Sequence, residues 1–282
     1  MKDFRDKVAV ITGAASGIGR GLAERSAQEG MKVVLADVEE EALLRTAEEM
    51  KSAGATVLAL PTDVSRYDDV KALAEKTLDA SGGVHLLCNN AGVTVGGSIW
   101  ESTLADWTWV IGVNLWGVIH GIHAFVPIML EQDTECHIVN TASMAALMSY
   151  PGRGIYRATK HAVLSITETL YHELSGSTDK IKVSLLCAGA VRTGILDSDR
   201  NRPAELLNDP EDKEASPVDH AMEEILRQSL EAGISPQEAA DHVFRGIKEG
   251  KLYIITHPQF KPMIQVWMDD FINERNPVNP MG

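Results

Sequence analysis

The chain has 282 residues, 44% of them apolar, enough for a sizeable core in one or two domains. Lys and Arg number 26 against 40 Asp and Glu, a net charge of -14. Such a balance disfavours nucleic acid and anionic membrane surfaces as partners, because both carry the same sign of charge.

The N-terminal stretch MKDFRDKVAVITG lacks a signal-peptide pattern, and the expected compartment is the cytoplasm. Its apolar run VAVIT (8–12) reads as a strand that leads straight into TGAASGIGRGLAE. There Gly13, Gly17 and Gly19 form G-x-x-x-G-x-G at a strand-to-helix turn. Glycine at such a turn lets backbone approach a pyrophosphate, and the helix N-terminus offers amide N–H groups and partial positive charge to it. The second strand, KVVLAD (32–37), ends in Asp37, eighteen residues beyond Gly19. A carboxylate at that strand end accepts hydrogen bonds from the adenosine ribose hydroxyls and repels a 2′-phosphate, which favours NAD over NADP. No Arg or Lys stands at position 16 or 38 to compensate.

Further strand-length runs follow: TVLALP (56–61), HLLCNN (85–90), HIVNTAS (137–143), KVSLLC (182–187) and LYIIT (252–256). Between most of them lie amphipathic stretches with apolar residues at intervals of three and four, ending at glycine. This alternation predicts βαβ units in a single-domain α/β fold, a doubly wound parallel sheet of seven strands with helices on both faces. The uncharged run WTWVIGVNLWGVIHGIHAFVPIML is long enough to span a bilayer, but Asn114, His120, His123 and its glycines favour a helix buried in the protein or at a subunit interface. Cys88, Cys136 and Cys187 each sit in a strand-like run, so buried free thiols are expected, with no disulfide framework and no metal site. After residue 192 the regular alternation gives way to an excursion (192–235) whose polar, Pro-containing part, 196–220, reads as surface, and the chain ends in an amphipathic tail (257–282).

Within the stretch YRATK, Tyr156 and Lys160 stand four residues apart, about 40° around a helix and therefore on one face. A cation about 4 Å from a phenol in an effective dielectric of about 20 stabilises the phenolate by roughly 4 kcal/mol. That is enough to draw the phenol toward neutral pH, where it can exchange a proton with an alcohol. Ser143, at a strand's carboxyl end, can hold the substrate oxygen beside it.

The order and spacing of TGAASGIG (12–19), CNNAG (88–92), Asn114, Ser143, Tyr156 and Lys160 resemble the short-chain dehydrogenase/reductase family over about residues 5 to 255. The resemblance implies one Rossmann domain, NAD or NADP as cofactor, and a homotetramer or dimer. It implies Ser143, Tyr156, Lys160 and Asn114 as the catalytic group, with Asn114 ordering a water that relays protons through Lys160. Tyr156 and Lys160 would also meet the nicotinamide ribose. Cofactor contacts are implied for Gly13, Ser16, Gly17, Ile18, Gly19 and Asp37, for Asp63 and Val64 beside the adenine, for Asn90, Ala91 and Gly92, and for Val191 and Thr193 at the carboxamide. Where the family often carries Pro-Gly, this chain reads Ala188-Gly189, so a less rigid loop is expected, with Gly189 keeping a flexible turn.

The segments Val93-Thr94-Val95 and MAALMSY (144–150) flank the site and are apolar, and Trp267, Met268 and Phe271 of the tail could close over them. They fit a bulky alcohol or ketone, aromatic, terpenoid or steroid-like, or else packing between subunits. MKDF, WVIGVNLWGVIHG and the LYIIT ending are further similar to bacterial dehydrogenases acting on benzylic alcohols of lignin-derived aryl ethers. The expected function is NAD-dependent hydride transfer with a secondary alcohol. The alternatives are a cofactor-binding sensor or scaffold on the same fold, and a dehydratase or epimerase without net redox change.

Overall fold

The computed structural model describes residues 1–149, 151–209 and 217–277, and of residues 217–219 only the backbone. Tyr150 and residues 210–216 and 278–282, which fall in the expected pocket flank, excursion and tail, lie outside the described residues.

Seven strands, β1 (Val8–Thr12), β2 (Lys32–Asp37), β3 (Val57–Pro61), β4 (Leu86–Asn89), β5 (Cys136–Thr141), β6 (Ile181–Cys187) and β7 (Tyr253–Ile255), form one sheet in the order β3-β2-β1-β4-β5-β6-β7. Every pairing is parallel. Side chains of a strand alternate between faces, so a sheet covered on both sides needs apolar residues at every position. Ala9 and Ile11 of β1 and Val33 and Leu35 of β2 join one core, while Val8, Val10, Val34 and Ala36 join the other.

The helices are α1 (Gly17–Gln28), α2 (Glu40–Ser52), α3 (Tyr67–Ser81), α4 (Leu104–Ile111), α5 (Gly117–Gln132), α6 (Gly154–Ser177), α7 (Pro217–Glu231), α8 (Pro236–Glu249) and α9 (Lys261–Ile272). Leu22 and Ala23 of α1, Leu43 and Ala47 of α2 and Val243 and Phe244 of α8 cover the first face. Val70 and Leu73 of α3, Phe125 and Met129 of α5 and Leu170 and Leu174 of α6 cover the second. The uncharged run forms one helical rod, Leu104–Gln132, long and apolar enough by composition to cross a membrane. One side of it packs on the sheet through Phe125, Val126 and Met129, whereas Trp116 and Leu130 are exposed. Its helical repeat widens to a π turn at Gly112–Trp116, centred on Asn114.

Strand order reverses between β1 and β4, and crossovers leave that point in opposite directions. A crevice therefore opens at the carboxyl ends of these strands, where open α/β sheets bind ligands.

Candidate active site

A cleft of about 1350 Å³ runs along this edge. Of the expected residues, Gly13, Ser16, Gly17, Ile18, Asp37, Asp63, Val64, Asn90, Ala91, Gly92, Ser143, Tyr156, Lys160, Val191 and Thr193 line it. Gly19 and Asn114 stand behind its wall, and the structure gives a reason for each. A Cβ on Gly19 would sit 1.9 Å from the Gly13 carbonyl oxygen, so this glycine lets α1 pack against the loop. Ser16 is the N-cap of α1, yet its exposed side chain makes no capping hydrogen bond, so its hydroxyl and the first amides of α1 face the cleft mouth.

Asp37 is buried at the far end, where Oδ2 accepts from the Ala15 amide at 2.9 Å and Oδ1 from the Glu39 amide at 3.0 Å. Burial raises its pKa from the ordinary carboxylate value, partly offset by those amides. The turn after β4 hangs on Thr12, a residue whose role the sequence reading missed. Thr12 Oγ1 accepts from the Asn90 and Ala91 amides at 2.9 and 3.1 Å, and Asn90 Nδ2 returns a bond to the Thr12 carbonyl at 3.0 Å. A hydroxyl residue ending an otherwise apolar strand was the available signal. Asp63 turns on itself, accepting from the Ser65 amide and hydroxyl at 2.9 and 2.7 Å.

At the other end, Ser143 follows β5 and caps a short 3-10 turn, Met144–Ala146. Its Oγ accepts from the Ala145 amide at 3.1 Å and donates to the Ala188 carbonyl at 3.3 Å. Lys160 is buried, and its ammonium donates to the Thr141 carbonyl at 2.8 Å and lies 5.6 Å from the Tyr156 ring centroid. Desolvation lowers its pKa to about 8, so the lysine pays for its position, which the simple cation–phenol picture left out. Asn114 is engaged on both sides: Oδ1 accepts from the Val93 amide at 2.8 Å, and Nδ2 donates to the Val93 carbonyl at 2.9 Å and to Thr159 Oγ1 at 3.2 Å. It also lies close to Lys160, since a Cβ on Gly92 would meet Asn114 Oδ1 at 3.4 Å and Lys160 Nζ at 3.6 Å.

Two expectations are corrected. Gly189 is not kept for a flexible turn: a Cβ there would fall 2.5 Å from His257 Nδ1, and the Gly189 amide is tied to Thr256 Oγ1 at 3.0 Å, so the loop after β6 is pinned without proline. The tail reaches the cleft through Phe260 and Met263, whereas Trp267 stacks on Phe271 at 6.3 Å and Phe271 and Met268 are exposed. The part of the excursion read as surface does lie at the surface where it is described, with Ser198 buried among its described residues, and it is anchored there. Arg202 and Asp106 form a pair at 2.7 Å with 5% and 1% side-chain exposure, and Asn208 bridges Asp106 and Thr103 at 2.9 and 2.6 Å. Arg200 and Asn201 reach across the carboxyl edge to Glu39, donating at 2.8 Å each.

The chain matches the short chain dehydrogenase family over residues 7–204. It is 34% identical over 265 residues to a CLA biosynthesis dehydrogenase/reductase of Lactiplantibacillus plantarum, covering 94% of this chain and 93% of that protein. It is 32% identical over 281 residues to a C alpha-dehydrogenase of a Sphingobium species, covering 99% and 89%. A short-chain dehydrogenase/reductase from Burkholderia phymatum, solved in complex with NAD, superposes with a TM-score of 0.96 at 47% identity over 100% of both chains. With the sheet order and the glycine loop on α1, these likenesses place the chain in the short-chain dehydrogenase/reductase family of Rossmann-fold oxidoreductases.

Proposed function

We propose that the protein is an NAD-dependent alcohol dehydrogenase or ketoreductase, passing hydride between NAD(H) and a bulky secondary alcohol or ketone. The observation that carries this reading is the convergence of Ser143, Tyr156 and Lys160 on one end of a cleft whose other end is Asp37. The cleft fits a dinucleotide: the Gly13–Gly19 contact leaves no room for side chains, the first turn of α1 opens to it, and Asp37 presents a carboxylate. Bound NAD would supply the hydride acceptor. Asp37 favours a ribose with a free 2′-hydroxyl, and Arg200, a cation the fold brings near, is already taken by Glu39.

Tyr156 takes the hydroxyl proton of the alcohol, or gives it back to the carbonyl oxygen in reduction. Ser143 turns its hydroxyl from the long Ala188 contact to the substrate oxygen and holds that oxygen against the phenol. Lys160, positioned by Thr141, orients the nicotinamide ribose and favours the phenolate. Asn114 and Lys160 stand on either side of Gly92, and a water held between them would give the proton a route to leave. Met144, Met148, Trp109, Phe260 and Met263 give the substrate end an apolar wall. The likeness to a C alpha-dehydrogenase fits a benzylic alcohol among the candidates.

Replacing Tyr156 with Phe is expected to cut turnover by at least about a thousand-fold while NADH binding stays within a few-fold. Absorbance at 340 nm with aromatic and alicyclic secondary alcohols, offered with NAD and with NADP, is the measurement. Retained activity would overturn the role of Tyr156, and a strong NADP preference would overturn that of Asp37. Tight NADH binding with no ketone reduced would favour a sensor, and substrate consumed without NADH formed would favour a dehydratase or epimerase.

A further inference from the structure

Resting on that reading and deepening it, we propose that His257 is a positioning residue for Ser143, acting through Thr256 and the peptide that joins Ala188 to Gly189. That peptide is a rigid plane whose carbonyl and amide point in opposite directions. On one edge the Ala188 carbonyl accepts from the Met144 amide at 2.9 Å and from Ser143 Oγ at 3.3 Å. On the other edge the Gly189 amide donates to Thr256 Oγ1 at 3.0 Å. A roll of this plane about the chain therefore moves the acceptor against which the serine hydroxyl is set. Thr256 is itself fixed. It is buried just past β7, its amide donates to the Cys187 carbonyl at 3.4 Å, and its Oγ1 lies 2.7 Å from His257 Nδ1.

The direction of this relay follows from its protons. Thr256 Oγ1 already accepts from Gly189, and its hydroxyl has one proton to give, which His257 Nδ1 takes. An accepting Nδ1 belongs to a neutral imidazole with its proton on Nε2. Burial favours that neutral form, lowering the pKa of His257 below the ordinary imidazole value. The ring also fills the space that a side chain would need at Gly189, where a Cβ would fall 2.5 Å from Nδ1 and 2.6 Å from Cγ. It stacks on Phe260, with centroids 6.0 Å apart and planes 27° apart, and the His257 carbonyl accepts from the Phe260 amide at 3.1 Å. Ser143, Ala188, Gly189 and Phe260 line the cleft, and Thr256 and His257 stand behind them. One imidazole thus holds both the turn that sets the serine and a wall of the substrate end. Where proline would fix φ within the turn, Ala188 leaves it free, and the constraint comes instead from the residues that follow β7.

The test compares His257→Phe, which keeps a stacking ring and removes the acceptor, with His257→Asn, whose Oδ1 can accept in place of Nδ1. Thr256→Val removes the hydroxyl while keeping its shape, and Ala188→Pro is added to the Phe variant. Oxidation of 1-phenylethanol and cyclohexanol with NAD is followed at 340 nm. Hydrogen–deuterium exchange over 187–191, read by mass spectrometry, needs no turnover. His257→Phe is expected to lower kcat on the order of ten-fold while KM for NAD changes less than about two-fold. It should also speed exchange of the Gly189 amide by about ten-fold or more. Thr256→Val should reproduce both effects, His257→Asn should reverse most of them, and Ala188→Pro should recover part of kcat by fixing φ. Equal losses in the Phe and Asn variants, or a kcat and an exchange rate that ignore both His257→Phe and Thr256→Val, would overturn the inference and leave the ring as packing alone. Exchange that follows this pattern in a protein that turns over no alcohol or ketone would sustain the hold on Gly189 and sink the dehydrogenase reading. Alcohol oxidation indifferent to residues 256 and 257 would do the reverse.

Discussion

Lys160 shows how a residue that serves a site can weaken the fold. Its burial holds the ammonium near a pKa of about 8, against 10.5 in the unfolded chain. Between those two values the unfolded state binds a proton that the folded state has released, so stability rises with pH across this window. From pH 7 to 9.5 the lysine should add about 2 kcal/mol to the unfolding free energy. Urea titrations of the wild type and Lys160→Met at both pH values isolate the effect: the wild type should gain that amount relative to the variant. A difference that does not change with pH would mean the ammonium is better solvated than its surroundings imply. The variant should also lose activity, because the residue that costs stability is the one beside Tyr156.

At the level of elements, the short helical segment after β6, Ile195–Asn201, crosses from β6 to the end of β2. Two latches hold it and the residues that follow. Arg202 is buried against Asp106 and over the Trp109 ring at 5.2 Å, and Arg200 and Asn201 meet Glu39. The Glu39 latch lies two residues from Asp37, where the adenosine would sit. Arg200 and Asn201 together lower the pKa of Glu39, against its partial burial. Because the Arg200 side chain is 40% exposed, the pair is worth little in global stability, on the order of 1 kcal/mol or less. Its effect should fall on cofactor exchange. Glu39→Gln is expected to speed NADH dissociation by roughly two- to ten-fold in stopped-flow fluorescence, with the melting temperature nearly unchanged. An unchanged dissociation rate would show that the segment does not gate the cleft. Neither latch was legible beforehand, since Glu39 and Arg200 are separated by 161 positions and each reads as an ordinary surface charge.

Across the whole molecule, both faces of the sheet are closed by helices, and all three cysteines lie in strands inside it. Burial pushes the Cys88 and Cys187 thiols up to about 12 and raises that of Cys136 as well. Thiolate, not thiol, attacks disulfides, so the native protein should show less than about one reactive thiol toward Ellman's reagent over an hour, and three after unfolding in guanidinium. Rapid native reaction would mean that the sheet opens locally. The sequence by itself determined the sheet, its parallel sense, the glycine turn, Asp37 and the Tyr156–Lys160 face. These are written in periods of two and 3.6 residues and in backbone needs that only particular residues meet. Tertiary structure alone decided how Asn114 is held by Val93, that Gly189 makes room for His257, and that Phe260 and Met263 rather than Trp267 wall the cleft. Each of those depends on contacts between segments far apart in the chain. No local pattern encodes them, because the partner that fixes each side chain arrives only when the layers pack.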